Sequence, residues 1–341
     1  MEKGCLIMSK KCIARLVSAV ILSSVLFSPL SLARETLNVY TYRSFVSDWG
    51  PGPGLQQAFE SLCECRVNFV SNDDGVTLLN RLRLEGAQTR VDVILGLDNA
   101  LLEEARQLGL VQPHGLTLAD YALKPELAWE DEDFIPYDYG YFAFIYDARR
   151  TEPVTSMQAL LDSSASVIYQ DPRTSTPGQG LVTWMRAIYG DQAPQAWQQL
   201  RPNTVTVTKG WSEAYSLFLQ GEADYVLSYT TSPAYHLSVE SVDHYRAAHF
   251  AEGHPMQIEV AAISRHSQRP ELAQAFLDFL LSPEAQAEIA TKNWMLPVRE
   301  DVSLPSAFSQ LIQPQSLGFS AEELARQRLA WVREWRSAVS Q

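Results

Sequence analysis

An open α/β architecture in two lobes is what this sequence predicts, and three observations predict it. Short β-type runs alternate with helical patterns along most of the chain. Two long extended stretches, near 137–146 and 257–263, interrupt that alternation and can carry the chain between lobes. The 341 residues, 46% hydrophobic and 20% charged, suffice for two core-forming units of ordinary globular composition.

The first strand is read over Leu37 to Tyr42, where apolar and polar residues alternate. Helix follows over Leu55–Leu62, strand over Val67–Val70, and helix over Val76–Leu84, with leucines 78, 79, 82 and 84 at helical spacing. Val91–Leu95 is a buried strand and Asn99–Leu108 a helix. Residues 111–133 contain two prolines and read as a loop. Phe134–Tyr146 is long, aromatic and extended. A second alternating series has strands at 166–170, 204–208 and 224–228. Its helices lie at 179–188, 192–200, 212–220 and 231–239. The extended run Gln257–Ile263 precedes helices at 270–281 and 283–290, the latter opened by Ser282-Pro283-Glu284. Ser320 to Glu323 is a capping box for the last helix, whose Trp331, Trp335 and Val339 form a core stripe. Right-handed crossovers in such sheets put ligands at the carboxyl ends of strands.

The chain opens with a basic region, Lys10, Lys11 and Arg15, then the apolar run Leu16–Leu30, then Ser31-Leu32-Ala33 before Arg34. This is the pattern of a secretory signal peptide over 1–33, with cleavage expected after Ala33. The run is shorter than the roughly 20 apolar residues a spanning helix needs. The whole chain carries −13 and its first 33 residues +3, so the remainder carries −16. Nucleic acid is a poor partner for that surface. A cationic ligand suits it, although solubility alone also explains it. Cys63 and Cys65 are the cysteines left after cleavage; in an oxidising compartment they can pair, across a tight Cys-x-Cys loop.

Catalytic signatures are missing: the chain has no G-x-S-x-G, H-E-x-x-H or Walker loop. Its six histidines are scattered without metal-ligand spacing, so no metal site and no cofactor are expected. Gly50-Pro-Gly-Pro-Gly54 resembles a phosphate loop, but proline has no N–H to give, and a rigid turn fixing Trp49 fits better. Aromatic residues instead stand beside small polar ones where strands end. Tyr42 with Asp48-Trp49, Asp73-Asp74-Gly75, Asp171 to Gly178, Lys209 to Glu213, Ser228 to Tyr235, and Asn293 to Pro297 are such loops. Rings stack on flat heterocycles and hold cations, and helix starts such as Ser175, Thr176 and Gly178 offer N–H groups to phosphate. Each single ring could equally pack under its loop; six such loops on one edge argue for a lined cleft.

These loops carry a resemblance. Tyr40-Thr-Tyr42, Asp48 to Pro53, Asp74-Gly75, Leu95 to Asn99 and Tyr137 to Phe144 are similar to the thiamine-binding proteins of bacterial importers, as are Tyr169 to Gly178, Thr208 to Tyr215, Leu227 to His236 and Asn293 to Met295. The resemblance implies a type II periplasmic solute-binding fold, two α/β lobes joined by two crossover segments with the ligand between them. The expected limits are 34–138 with 262–300 for lobe 1, and 139–261 with 301–341 for lobe 2. It implies thiamine, its monophosphate and its diphosphate as ligands, an ABC permease with its ATPase as partners, a monomer, and no catalysis. Carried over position by position, the site falls on Tyr42, Trp49, Asp74, Gly75, Ser175, Trp211, Tyr229, Tyr235 and Trp294. Leu296 departs from the family pattern, where an aromatic residue stands.

Two rivals follow. The same fold could take ferric iron, a polyamine or a phosphonate. Ferric sites use adjacent tyrosines, whereas Tyr229 is followed by Thr230, and the candidate loops are poorer in carboxylates than a polyamine would need. A thiamine-degrading enzyme would need a cysteine nucleophile in the cleft, and Cys63 and Cys65 follow a helix instead.

Overall fold

The computed structural model describes residues 34–340. The signal-peptide reading falls on residues 1–33 and lies outside them. The chain begins with β1 (Thr36–Tyr42), α1 (Gly52–Cys63), β2 (Arg66–Asn72), α2 (Gly75–Glu85), β3 (Val93–Asp98) and α3 (Leu102–Gln107). β1 pairs in parallel with β2 on one side and β3 on the other, as expected of consecutive β–α–β units. β4 (Val111–Gln112) is a two-residue edge inside the irregular segment, and β5 (Phe134–Asp147) follows.

The second series runs α4 (Met157–Asp162), β6 (Val167–Gln170), α5 (Thr176–Tyr189), α6 (Ala193–Leu200), β7 (Thr204–Thr208), α7 (Trp211–Leu219) and β8 (Tyr225–Tyr229). β6 pairs in parallel with β7 and β8. Then come α8 (Ser232–Tyr235), β9 (Tyr245–Ala247), β10 (Met256–Ser264), α9 (Pro270–Leu280), α10 (Pro283–Lys292), β11 (Leu296–Pro297) and α11 (Ala321–Val339). No helix among the described residues is long and apolar enough to cross a membrane.

The strands form one continuous order, β2-β1-β3-β10-β5-β8-β6-β7. β5 makes that continuity possible. Its first half pairs antiparallel with β10, and its second half, Phe142 to Tyr146, pairs antiparallel with β8. The two largest hydrophobic cores form on either side of that division. One gathers Leu37, Val39, Phe59, Ile94, Tyr137 and Phe276; the other gathers Phe144, Trp184, Trp197, Phe250, Trp331 and Trp335. The tryptophan stripe of α11 is therefore core, as its spacing predicts.

Local differences from the sequence expectation have physical causes. Residues 257–261, expected in lobe 2, belong with lobe 1, because Ile258, Val260 and Ala261 pack into the first core. The helix expected over 231–239 is a single α-turn that widens into a π-turn at His236–Glu240, where His236 Nδ1 meets Glu240 at 2.6 Å. α4 escaped the reading, although Ser156 caps it through Ala159 N–H at 3.0 Å and Met157, Leu160 and Leu161 bury its inner face. Cys63, the last residue of α1, and Cys65 are joined as a disulfide.

Candidate functional site

A cavity of about 390 Å³ opens where the two cores meet. Its lining comes from the ends of β1 and β8, the interior of β10, the turn before α1, the starts of α2 and α5, α7, α8, and the loop after α10. Seven of the nine predicted residues line it: Tyr42, Trp49, Asp74, Trp211, Tyr229, Tyr235 and Trp294. The sheet and helices thus bring strand-end loops together as the open α/β topology requires.

One wall is a run of rings. Trp211, first residue of α7, stacks on Tyr215 at 5.0 Å and 20° between planes, and its Nε1 donates to Ser228 Oγ at 2.7 Å. That bond fixes the indole's edge, and Trp49 stands beside it, tilted by 57° with ring centroids 6.2 Å apart. Trp49 is half exposed and stands at the cavity edge. The turn that carries it is as tight as its glycines and prolines suggest. Gly50 and Gly52 donate to Ser47 O and Phe45 O, and a Cβ on Gly50 would lie 2.2 Å from Ser44 O. At the other side Tyr235 meets Trp294 edge-on at 5.7 Å, and Trp294 lies flat on Phe308 at 6.2 Å and 13°. Leu296 is partly buried in this cluster, beside Phe308.

Asp74 ties the lobes together. Its carboxylate caps α2 by accepting from Gly75 N–H at 2.7 Å. It also accepts from Ser175 Oγ at 2.8 Å and Thr176 N–H at 3.2 Å, at the start of α5. Burial raises its pKa, opposed by these hydrogen bonds from Ser175, Gly75 and Thr176. Gly75 and Ser175 do not line the cavity; they serve this junction. A Cβ on Gly75 would lie 2.5 Å from Gly96 O and 2.6 Å from Thr176 Oγ1, so only glycine lets α2, β3 and α5 approach this closely.

The floor is acidic, a feature sequence reasoning missed. Glu259, on β10, lines the cavity and accepts from Tyr42 Oη at 2.6 Å and Tyr137 Oη at 2.7 Å. Asn293 Nδ2 donates to Tyr42 Oη at 2.9 Å and to Asp138 Oδ2 at 2.7 Å. Tyr229 Oη donates to Gln257 Oε1 at 2.8 Å. Burial, reinforced by the Glu259 carboxylate, lifts Tyr42 and Tyr137 well above the ordinary tyrosine range. Asp73 and Asp74, from a loop the sequence singles out, stand on the wall, and Glu259 is the one lining carboxylate that no strand-end loop supplied. The signal was present: a glutamate within the otherwise apolar run Ile258 to Ile263 is costly unless it serves something.

Such a cavity can sandwich a flat heterocycle between rings and offset a positive charge. No group of three or more His, Cys, Asp or Glu among the described residues could hold a metal ion. Cys63 and Cys65 are bonded to each other and do not line the cavity.

Comparison with known proteins agrees with this architecture. The chain matches the bacterial extracellular solute-binding protein family over residues 55–293. It is 54% identical to the thiamine-binding periplasmic protein of Salmonella typhimurium, over 91% of this chain and 95% of that one. It is 42% identical to the protein of the same name from Haemophilus influenzae, over 96% and 99%. A solved periplasmic thiamin-binding protein superposes with a TM-score of 0.88 at 53% identity, covering 91% of this chain and 98% of the other. A ferric-binding protein from Campylobacter jejuni, at 19% identity and a TM-score of 0.75, shares the fold. The chain belongs to the bacterial extracellular solute-binding protein family.

Proposed function

We propose that this protein is exported to the periplasm with loss of residues 1–33, captures thiamine, and delivers it to an ABC permease and its ATPase. It works as a monomer, without cofactor and without catalysis. The observation that carries the reading is one cavity that combines a ring wall, Trp49, Trp211, Tyr235 and Trp294, with carboxylates at Asp74 and Glu259. Thiamine presents a flat aminopyrimidine and a permanently cationic thiazolium, and both find partners there. The relatives named above as thiamine-binding support the same ligand.

Thiamine monophosphate and diphosphate are the finer part of the proposal. The start of α5, with Ser175 and the Thr176 N–H, supplies donors of the kind phosphate uses, beside the rings. Ser175 Oγ is engaged with Asp74, so a phosphate would take it by displacing the carboxylate.

Calorimetry on residues 34–341 tests the main reading. Binding of thiamine at micromolar concentration is expected, and failure to bind would falsify it. Titration of Ser175→Ala with all three ligands tests the finer reading. A larger loss for the esters supports a phosphate site at Ser175, and an equal loss leaves Ser175 as a positioning residue for Asp74.

A further inference from the structure

Asp138 and Glu259 face each other directly across β5 and β10, as register partners of an antiparallel pair. Such partners project to the same face of a sheet with Cβ atoms about 5 Å apart. Both side chains are buried, Asp138 completely and Glu259 to all but 8%. Among the described residues no lysine or arginine forms an ion pair with either. Glu259 receives hydroxyls from Tyr42 and Tyr137 and the Gln257 amide at 3.0 Å. Asp138 receives Asn293 on Oδ2, while its Oδ1 is buried with no hydrogen-bond partner.

The surroundings add no positive charge. Tyr42 faces the pair from β1, Asp98 from β3, Tyr137 from β5, Tyr229 from β8 and Asp74 from the start of α2. Arg328 of α11 acts on Asp98 and is bonded to Glu104 and Gln179. Two adjacent buried carboxylates without a counter-cation cannot both ionise at ordinary cost. A proton held between them removes one charge and gives Asp138 Oδ1 the hydrogen it lacks. Burial first, and then the Glu259 charge, push Asp138 upward. Burial also raises Glu259, opposed by hydrogen bonds from Tyr42, Tyr137 and Asp138 and aided by the Asp74 charge.

We propose that Asp138 and Glu259 form a proton-exchanging carboxyl pair that reads the charge of the ligand: it holds one proton until a cation enters the cavity, and then releases that proton to solvent. Glu259 lines the cavity between Tyr42 and Asn293, so a cation seated there lies within reach of the pair. The charges balance, because one positive charge enters the site and one leaves it. The pair therefore selects a cationic ligand over a neutral molecule of the same shape. By linkage, a complex that has lost a proton tightens as pH rises, by at most about tenfold per pH unit. This inference rests on the thiamine reading for its ligand but not for the proton itself.

Two measurements test it. Calorimetry with thiamine between about pH 6 and 9, in phosphate and in Tris, reads the protons exchanged on binding. Release approaching one proton per thiamine is expected, with affinity rising across the range. Glu259→Gln and Asp138→Asn should each abolish the release and flatten the pH dependence. Thiamine binding without proton exchange, or unchanged release in both variants, overturns the proposal. Carbon-13 NMR of the side-chain carboxyls in ligand-free protein reads the pair without any ligand. One carboxyl of the pair should titrate far above the ordinary range, and Asp138→Asn should remove that titration. If both ionise in the ordinary carboxyl range, the proposal fails whatever the protein binds; if thiamine does not bind but the raised titration is seen, it is the ligand reading that fails.

Discussion

Ser175 Oγ donates to Asp74 at 2.8 Å, and this bond joins the start of a helix in one lobe to the start of a helix in the other. Asp74 is at once the N-cap of α2 and an acceptor for the first N–H of α5. One carboxylate thus satisfies orphan donors on both sides of the cavity. Lobe closure and ligand contact converge on the same side chain.

Asp74→Ala is accordingly expected to act twice. Loss of the cap should lower stability by about 1–2 kcal/mol, read by denaturant titration. Loss of the interlobe bonds should weaken thiamine binding at least about tenfold, beyond what a helix cap alone would do. Ser175→Ala should leave the cap in place and weaken thiamine binding with little change in stability. Wild-type affinity in both variants would remove the junction from the binding mechanism.

Trp211 is held by Ser228 and Tyr215 and lines the cavity beside Trp49. Stacking contributes about 0.5–1.5 kcal/mol, and a cation over an indole up to about 2 kcal/mol when desolvated. Trp211→Ala should therefore cost at least about tenfold in thiamine affinity, with a modest change in Tm because the ring is only partly buried. Trp211→Phe should recover most of the loss. Calorimetry and tryptophan fluorescence quenching both report it.

Why the rings were legible from sequence and the floor was not follows from where they sit. Tyr42, Trp49, Trp211 and Trp294 lie at strand or helix ends, where punctuation by Gly, Pro and Ser exposes them in the pattern. Glu259 and Asp138 lie inside long strands, and their meeting depends on the antiparallel register of β10 with β5. That pairing joins residues 121 positions apart, and no local pattern encodes it. The strand–helix alternation predicted the elements of both lobes closely, because each buries an apolar face of its own period. The π-turn after α8 was missed because it follows from the His236–Glu240 contact, and the placement of 257–261 because it follows from which core received Ile258. Ser175 was read as a helix-start donor, and the sequence does not reveal that the Asp74 carboxylate stands opposite it.

Gly96 illustrates how the sheet presses on the site. It has φ +101°, in the region that favours glycine, and a Cβ there would lie 2.3 Å from the Tyr42 ring. Gly96→Ala should combine backbone strain with displacement of Tyr42 and its bond to Glu259. A loss of about 2–4 kcal/mol in stability is expected from those two causes together, with weakened thiamine binding. A variant with wild-type Tm would show that the strand can shift to admit a methyl group.

His254 makes the fold acid-sensitive from within the second core. It is completely buried against Trp184 and Phe250, Nδ1 lies 2.7 Å from Phe142 O, and Nε2 accepts from Phe250 N–H at 2.9 Å. The neutral ring satisfies both contacts, donating from Nδ1 and accepting at Nε2; a protonated ring would turn Nε2 into a donor facing another donor. Burial accordingly holds its pKa down from 6.5 to about 4. Between those values the unfolded chain binds a proton that the folded chain refuses. Stability from this residue is thus full above about pH 6.5 and is lost as pH falls toward 4, by up to about 3 kcal/mol. His254→Asn keeps a donor for Phe142 O and cannot titrate. It should be less stable than wild type at neutral pH but lose less stability between pH 6.5 and 4, as read by urea titration at each pH. Parallel pH profiles for the two proteins would show that acid destabilisation arises elsewhere.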